Sequence, residues 1–441
     1  MSAMNKAQLI GRILGRKTES LAAAGSKPVT RQAENAVSGN LTRFDSHPCY
    51  KEMQVLMGAS RALGVDNPFF KTHEGLAAAT TTIGQHSYLN FSSYNYLGLN
   101  GHPEVSQAAK DAIDRYGVSA SASRLVAGER PVQLELEEAI AELYEAEDCV
   151  VFVSGHATNV SAIATLFGPR DLVVHDSLIH NSVLEGAKLS GASRRSFPHN
   201  DVRALDALLG EIRGQFERAL IVVEGHYSMD GDLPDLPALI ELKRRHGCFL
   251  MVDEAHALGV IGSTGRGLFE HFGVAPGEVD IWMGTLSKTL SGCGGYIAGE
   301  RALVDHLKYA APGFVYSVGI APPLAAASLA ALRVMRREPE RVRRLQENGR
   351  LFLELAQKAG LKTGFSQGFS IIPLITGSSL AAVRLSSAFF EHGINVQPVI
   401  YPAVEEKAAR LRFFLSEAHS EVDIRHACQT ASKLIPQGIL S

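Results

Sequence analysis

Between residues 149 and 298 the chain repeats one pattern. Short runs that are apolar at nearly every position alternate with longer stretches of helical period. The runs are CVVFV (149–153), LVV (172–174), LIVV (220–223), FLMV (249–252), IWM (281–283) and YIA (296–298). A strand that is apolar on both faces must be covered on both, as in a parallel sheet between two helix layers. Residues 105–335 are therefore predicted as one large α/β domain with a mostly parallel sheet. Beyond it the pattern predicts a helix over 336–359, a strand near 370–375, a helix near 379–392, a strand near 394–400 and a last helix from Glu421. This reads as a smaller α+β domain, 336–441. At the other end, residues 20–45 are rich in Ala, Ser, Gly, Thr and Asn and lack a period, so 1–49 reads as an arm or linker. Helical spacing begins at Tyr50 and runs through Met53, Leu56 and Met57. The segment 50–104 is expected to pack on the small domain.

Composition narrows the picture by exclusion. No stretch reaches the roughly 18 apolar residues a membrane-spanning helix needs. The 43 basic residues nearly balance the 46 acidic ones, a net charge of -3, which gives no reason to expect nucleic acid. The five cysteines, at 49, 149, 248, 293 and 428, form no close pair and no metal-ligand spacing. A reduced, cytoplasmic setting without a metal follows. Lys6, Arg12, Arg16 and Lys17 read as a loose basic arm, with an organelle-targeting peptide as the alternative.

In parallel sheets, ligands bind beyond the carboxyl ends of the strands. Directly after FLMV come Asp253, Glu254, Ala255 and His256. A buried acid is costly unless paired, so Asp253 either caps a helix or faces a cationic ligand. After IWM come Gly284, Thr285, Leu286, Ser287 and Lys288, then the glycine-rich 291–295. Small and hydroxylic neighbours suit close approach of a phosphate to that lysine. At Ser154-Gly155-His156 a strand meets a helix, whose free N–H groups suit an anion. His180, in LIHNS, says little alone. Together these residues offer an amine for a Schiff base, an acid for a pyridinium nitrogen, histidines for a ring and an anion-binding helix start. Pyridoxal phosphate demands that set.

The text resembles the α-oxoamine synthases, a family of fold-type I pyridoxal-phosphate enzymes. The matching segments are FSSYNYLGL (91–99), SASRLVAGE (121–129), EGHYSMDGD (224–232), MVDEAHALGVIGSTGRG (251–267), GTLSKTLSGCGGYIAG (284–299) and RLRFFLSEAH (410–419). Within the family the chain is most similar to modules appended to polyketide assembly lines, and it shares features with serine palmitoyltransferase. Tyr94 stands where oxononanoate and aminolevulinate synthases carry Asn. The resemblance implies an aspartate aminotransferase-like fold with a large and a small domain. It implies that Lys288 carries the cofactor, Asp253 pairs the ring nitrogen, and His256 and Ser228 hold the ring hydroxyl. His180 would stack on the ring, while Thr285, Gly155 and His156 hold the phosphate. Ser317 matches a phosphate contact given by the neighbouring subunit of a homodimer. Arg412 matches the clamp for the amino-acid carboxylate, and Tyr94 is expected with it among the substrate-binding residues. His199, in FPHND, reads as structural.

The implied reaction joins a small amino acid (glycine, alanine or serine) to an acyl thioester with loss of carbon dioxide, giving an α-amino ketone. Lys288 would serve as base, and His180 would orient the carboxylate and assist the thioester oxygen. An acyl carrier protein is the expected acyl donor. Residues 333–350 hold seven arginines against three glutamates, a basic helix that suits an acidic partner, although a plain solvated face fits as well. Coenzyme A is the alternative carrier. Rival readings are a serine palmitoyltransferase proper, an aminotransferase or decarboxylase on the same fold, and an inert partner subunit.

Overall fold

The computed structural model describes residues 39–62 and 67–435. The chain forms two compact units, Met1–Gly64 and Val65–Ser441. In the first, a helix spans Pro48–Ala62, opened by a proline whose missing N–H costs nothing there. Tyr50 and Met53, which predict this helix, are exposed along it. The Leu56 and Met57 side chains, and the linker over residues 20–38, lie outside the described residues.

The second unit opens with three short strands, β1 (His73–Glu74), β2 (Thr80–Ile83) and β3 (His86–Asn90). Then come the seven strands of the main sheet: β4 (Asp148–Phe152), β5 (Leu172–Asp176), β6 (Ser193–Phe197), β7 (Ala219–Glu224), β8 (Phe249–Asp253), β9 (Ile281–Thr285) and β10 (Gly295–Gly299). Their spatial order is β4-β10-β9-β8-β7-β5-β6. All run parallel except β10, which is antiparallel to β4 and β9. Alternate residues feed two cores. Ile221 and Val223 of β7 face one, and Leu220 and Val222 face the other. That two-sided burial is why the strands read as unbroken apolar runs.

All six apolar runs are strands. The seventh, β6, escaped the pattern because Arg194, Arg195 and Ser196 are exposed on an edge strand. The helix expected over 336–359 is two helices, Pro322–Arg337 and Glu340–Lys358. Pro339 ends the first, because the residue before a proline disfavours the helical conformation.

The last part holds β11 (Ile371–Ile375), β12 (Ile394–Asn395), β13 (Pro398–Val399) and β14 (Arg410–Phe414). β14 lies between β11 and β13 in a three-stranded antiparallel sheet. β12 instead runs parallel to β3. The single strand expected near 394–400 is thus two pieces serving two sheets. Helix Glu421–Leu434 starts where the sequence placed it, with a reciprocal Ser420–Asp423 capping box.

Candidate active site

β7, β8 and β9 end on Glu224, Asp253 and Thr285, all buried. Beyond these ends lies a small chamber of ≈ 90 Å³, lined by Gly155, His156, His180, Ser228, Asp253, His256, Thr285 and Lys288 among others. Eight of the residues singled out in the sequence therefore meet in one small space.

Asp253 Oδ1 accepts the Ala255 N–H at 3.0 Å, and Oδ2 accepts from Asn159 Nδ2 at 2.8 Å. The same amide donates to Ser182 Oγ at 2.9 Å, and Ser182 Oγ lies 2.7 Å from His180 Nδ1. The Ser182 N–H also donates to His180 Nδ1, at 3.3 Å. His180 Nδ1 is thus an acceptor, and in the neutral ring the proton sits on Nε2. Burial favours that neutral form and lowers the His180 pKa, against the pull of Asp253. Asn159 and Ser182 had no signal of their own in the sequence. Asn159 lies one helical turn beyond Gly155, and that is the only pattern that marks it.

Glu224 is the other residue that sequence reasoning passed over. Its Oε2 accepts the Ser228 N–H at 2.8 Å, while Oε1 is buried with no partner. Burial, and then the neighbouring Asp253, push its pKa up to about 8. Lys288 is lowered to about 8 by burial, against Asp253 and Glu224, which both favour its charged form. His256 receives or gives a 2.7 Å hydrogen bond at Nδ1 with Tyr96. Burial, then the charges of Lys288 and Arg412, hold its pKa well below the usual range.

The phosphate side is built from backbone. The helix Gly155–Leu166 begins at the chamber, with Ser154 Oγ accepting the Ala157 N–H. A Cβ on Gly155 would lie 2.9 Å from Thr285 Oγ1, so only glycine lets the helix start approach this strand end. Thr285 Oγ1 itself donates to Gly294 O at 2.9 Å.

Arg412 reaches the site from β14. One Nη1 hydrogen donates to Ser228 O at 2.7 Å, and the buried Nε has no partner. Tyr94 stands edge-on to His256 and Phe414, with its ring centre 5.7 Å from Lys288 Nζ. It lines a second, open cavity of ≈ 790 Å³ with Phe69, Phe70, Leu76, Ser291 and Gln397. Among the described residues, Lys288 alone lines both spaces. Ser317 lines neither; it is half-buried between the exposed Tyr316 and Val318. His199 lies outside the chamber, between Asp176 and Asp232.

Do these residues fit pyridoxal phosphate? Orphaned buried polar atoms call for a polar guest, and Asn159 Oδ1 and Glu224 Oε1 are such atoms in the chamber lining. A glycine-opened helix start, a carboxylate and an amine complete the donor set. They fit.

The chain matches the family described as aminotransferase class I and II over residues 86–430. An 8-amino-7-oxononanoate synthase of Symbiobacterium thermophilum is 40% identical over 78% of this chain and 88% of its own length. A 4-hydroxy-2,2'-bipyrrole-5-methanol synthase of Serratia is 38% identical over 78% of this chain but only 52% of its own length. Among solved structures, a serine palmitoyltransferase of Sphingomonas wittichii superposes with a TM-score of 0.84 at 27% identity, covering 89% of this chain and 98% of that one. Fold and site thus define a pyridoxal-phosphate enzyme of fold type I, and the chain belongs to the aminotransferase class I and II family. Within that family its relatives are α-oxoamine synthases, the group its motifs resemble.

Proposed function

We propose that the protein condenses a small α-amino acid with an acyl thioester, releasing carbon dioxide and a thiol and yielding an α-amino ketone. The observation that carries this reading is the position of Lys288, the one residue among those described that is shared by a small, charged chamber and a wide, partly apolar cavity. A two-substrate carbon–carbon bond formation needs such a junction.

When bound, pyridoxal phosphate supplies an aldehyde that condenses with amines and a protonated ring that accepts an electron pair. The chain's residues do the rest. Asp253, held by hydrogen bonds from Asn159 and Ala255, would favour the protonated ring nitrogen, as a carboxylate beside a cation does by roughly 1–3 pKa units. Lys288, with a pKa near 8, serves both as the cofactor's attachment point and as the base that takes the proton from the amino acid's α-carbon. Arg412, anchored through Nη1 to Ser228 O and with its buried Nε unpartnered, lines neither cavity and is the guanidinium we assign to the substrate carboxylate. His180 presents its Nε2 proton to the carboxylate and then to the thioester oxygen. His256 and Ser228 would hold the ring hydroxyl, and Thr285, Gly155 and His156 would hold the phosphate.

The acyl carrier follows from the surface less directly. Of the seven arginines in 333–350, Arg336 pairs Glu142, Arg337 pairs Glu104, and Arg341 and Arg344 share Glu417. Four of the seven arginines are thus paired with acids of the same chain, most of them at the surface. An acyl carrier protein remains the first donor to test, and coenzyme A the second. The amino acid is glycine, alanine or serine. We assign the enzyme to a cytoplasmic homodimer in which Ser317 completes the partner's phosphate site. All five cysteines are free, and among the described residues no helix is long and apolar enough to cross a membrane. We divide the chain into an arm (1–49), a segment (50–104), a large domain (105–335) and a small domain (336–441); the β3–β12 pairing supports the packing of residues 86–90 on the small domain.

The test is an assay of each amino acid with each acyl donor, following thiol and carbon dioxide together. Equal release of both is expected. Formation of an oxo acid without carbon dioxide would mean an aminotransferase. Failure to bind cofactor would mean an inert partner subunit.

A further inference from the structure

His199 lies outside the cofactor chamber, yet both of its ring nitrogens are engaged. Nδ1 is 2.9 Å from Asp176 Oδ1 and Nε2 is 2.9 Å from Asp232 Oδ2. An ionised carboxylate only accepts, so both nitrogens carry protons and the ring is a cation. The next residue repeats the bridge. The Asn200 N–H donates to Asp176 Oδ2 at 2.8 Å and its side chain donates to Asp232 Oδ2 at 2.7 Å. Asn200 adopts a left-handed backbone, φ 54°, which asparagine tolerates better than most residues.

The two acids belong to different parts of the site. Asp176 ends β5, and its Oδ1 also accepts the Leu178 N–H at 2.7 Å, fixing the turn that delivers His180. Asp232 closes the segment 224–232, which contains Ser228, and its carbonyl accepts the Tyr227 N–H at 2.9 Å. Ser228 in turn anchors Arg412, and Asp230 in the same segment pairs Arg410 at 2.9 Å. The groups facing His199 are Asp176, Asp232, the Tyr227 ring at 4.5 Å and the Phe365 ring at 5.7 Å.

We propose that His199 is a positioning residue, a cationic clamp that holds the turn carrying His180 in register with the segment carrying Ser228 and the anchor of Arg412. The strands that lead into the two segments, β5 and β7, pair as far as His175 and Val222; beyond that pairing His199, with Asn200, bridges Asp176 and Asp232, so the clamp sets the distance between the turn carrying His180 and the segment carrying Ser228. Burial opposes the charge, but the hydrogen bonds to Asp176 and Asp232 outweigh it and raise the His199 pKa to about 10, so the clamp is closed at neutral pH. The inference rests on the reading of the chamber as a pyridoxal-phosphate site.

The test uses binding rather than turnover. Full-length apoprotein is titrated with pyridoxal phosphate by visible absorbance, and the loaded protein is then titrated with alanine, glycine and serine. Wild type, His199→Asn and Asp232→Asn are compared well below their melting temperatures. Both variants are expected to bind cofactor and the accepted amino acid about tenfold more weakly, the scale on which orienting partners act. Cofactor and amino-acid affinities within twofold of wild type, with only the melting temperature lowered, would overturn the clamp and leave His199 as a stabilising residue. Should His199→Asn not fold, Asp232→Asn, which keeps the ring and loosens one anchor, carries the same two readings. Wild-type protein that takes up no cofactor would overturn the reading of the chamber and the clamp with it.

Discussion

The two spaces that meet at Lys288 differ in every physical respect. The inner chamber is ≈ 90 Å³, and its lining is charged and locked by hydrogen bonds from strand ends. The outer cavity is ≈ 790 Å³ and is walled by Phe69, Phe70, Leu76 and Tyr94, whose side chains are partly exposed. Phe70 is 98% exposed and takes a left-handed backbone, φ 60°. The inner space is pre-organised for one guest, as electrostatic catalysis requires. The outer one fixes little by itself. The chemistry is therefore set inside and the substrate choice outside, and substitutions on the two sides should behave differently.

The largest effect belongs to the shared residue. Lys288→Ala is expected to lower turnover by about 10³-fold or more, since a general base contributes roughly 10²–10⁴ and the attachment point goes with it. Product yield by mass spectrometry checks this. Next comes the inner wall. Asp253→Asn replaces the carboxylate proposed to pair the ring nitrogen and is expected to cost about 10²-fold in kcat, with protein still folded by circular dichroism. At the boundary, Arg412→Lys keeps the charge but loses the guanidinium geometry. It should raise KM for the amino acid about tenfold with a smaller change in kcat. On the outer wall, Tyr94→Asn should leave cofactor affinity unchanged. It should shift preference among glycine, alanine and serine by roughly tenfold or less, the range available to small pocket changes. An equal loss of cofactor binding in Tyr94→Asn would break the division between the two spaces.

The smallest effects are in pH. The Lys288 amine must be unprotonated to attack the cofactor, so the rate at which apoprotein captures pyridoxal phosphate should rise as pH passes through about 8. His199 works in the opposite sense. Its pKa in the folded protein, about 10, lies above its ordinary 6.5. The stability it contributes is present in full below pH 6.5 and is lost as pH rises through 10. The melting temperature of wild type should fall across that window more than that of His199→Asn.

The inner chamber was legible because its residues follow apolar runs directly. FLMV announces β8 and places Asp253, and IWM announces β9 and places Thr285 and Lys288. Arg412 was not legible from pattern. β14 reads RLRFF, and its two arginines hide a strand in a small antiparallel sheet that only the fold completes. The resemblance supplied it. Glu224 ends a readable run, LIVV, but a buried acid there announces no role until its unpartnered oxygen is seen. Asn159, Ser182 and Asp232 act through hydrogen bonds to residues 94, 23 and 33 positions away, which no local pattern encodes. The outer cavity was not legible at all, since β1 to β3 are short and mixed in character.

The central claim is that Lys288 holds the cofactor where the two spaces meet. The most direct measurement is reduction of the loaded protein with borohydride, followed by peptide mapping. The account expects a pyridoxyl group on Lys288 in wild type and none in Lys288→Ala. Unlabelled Lys288, or a label on another lysine of the folded protein, would contradict it.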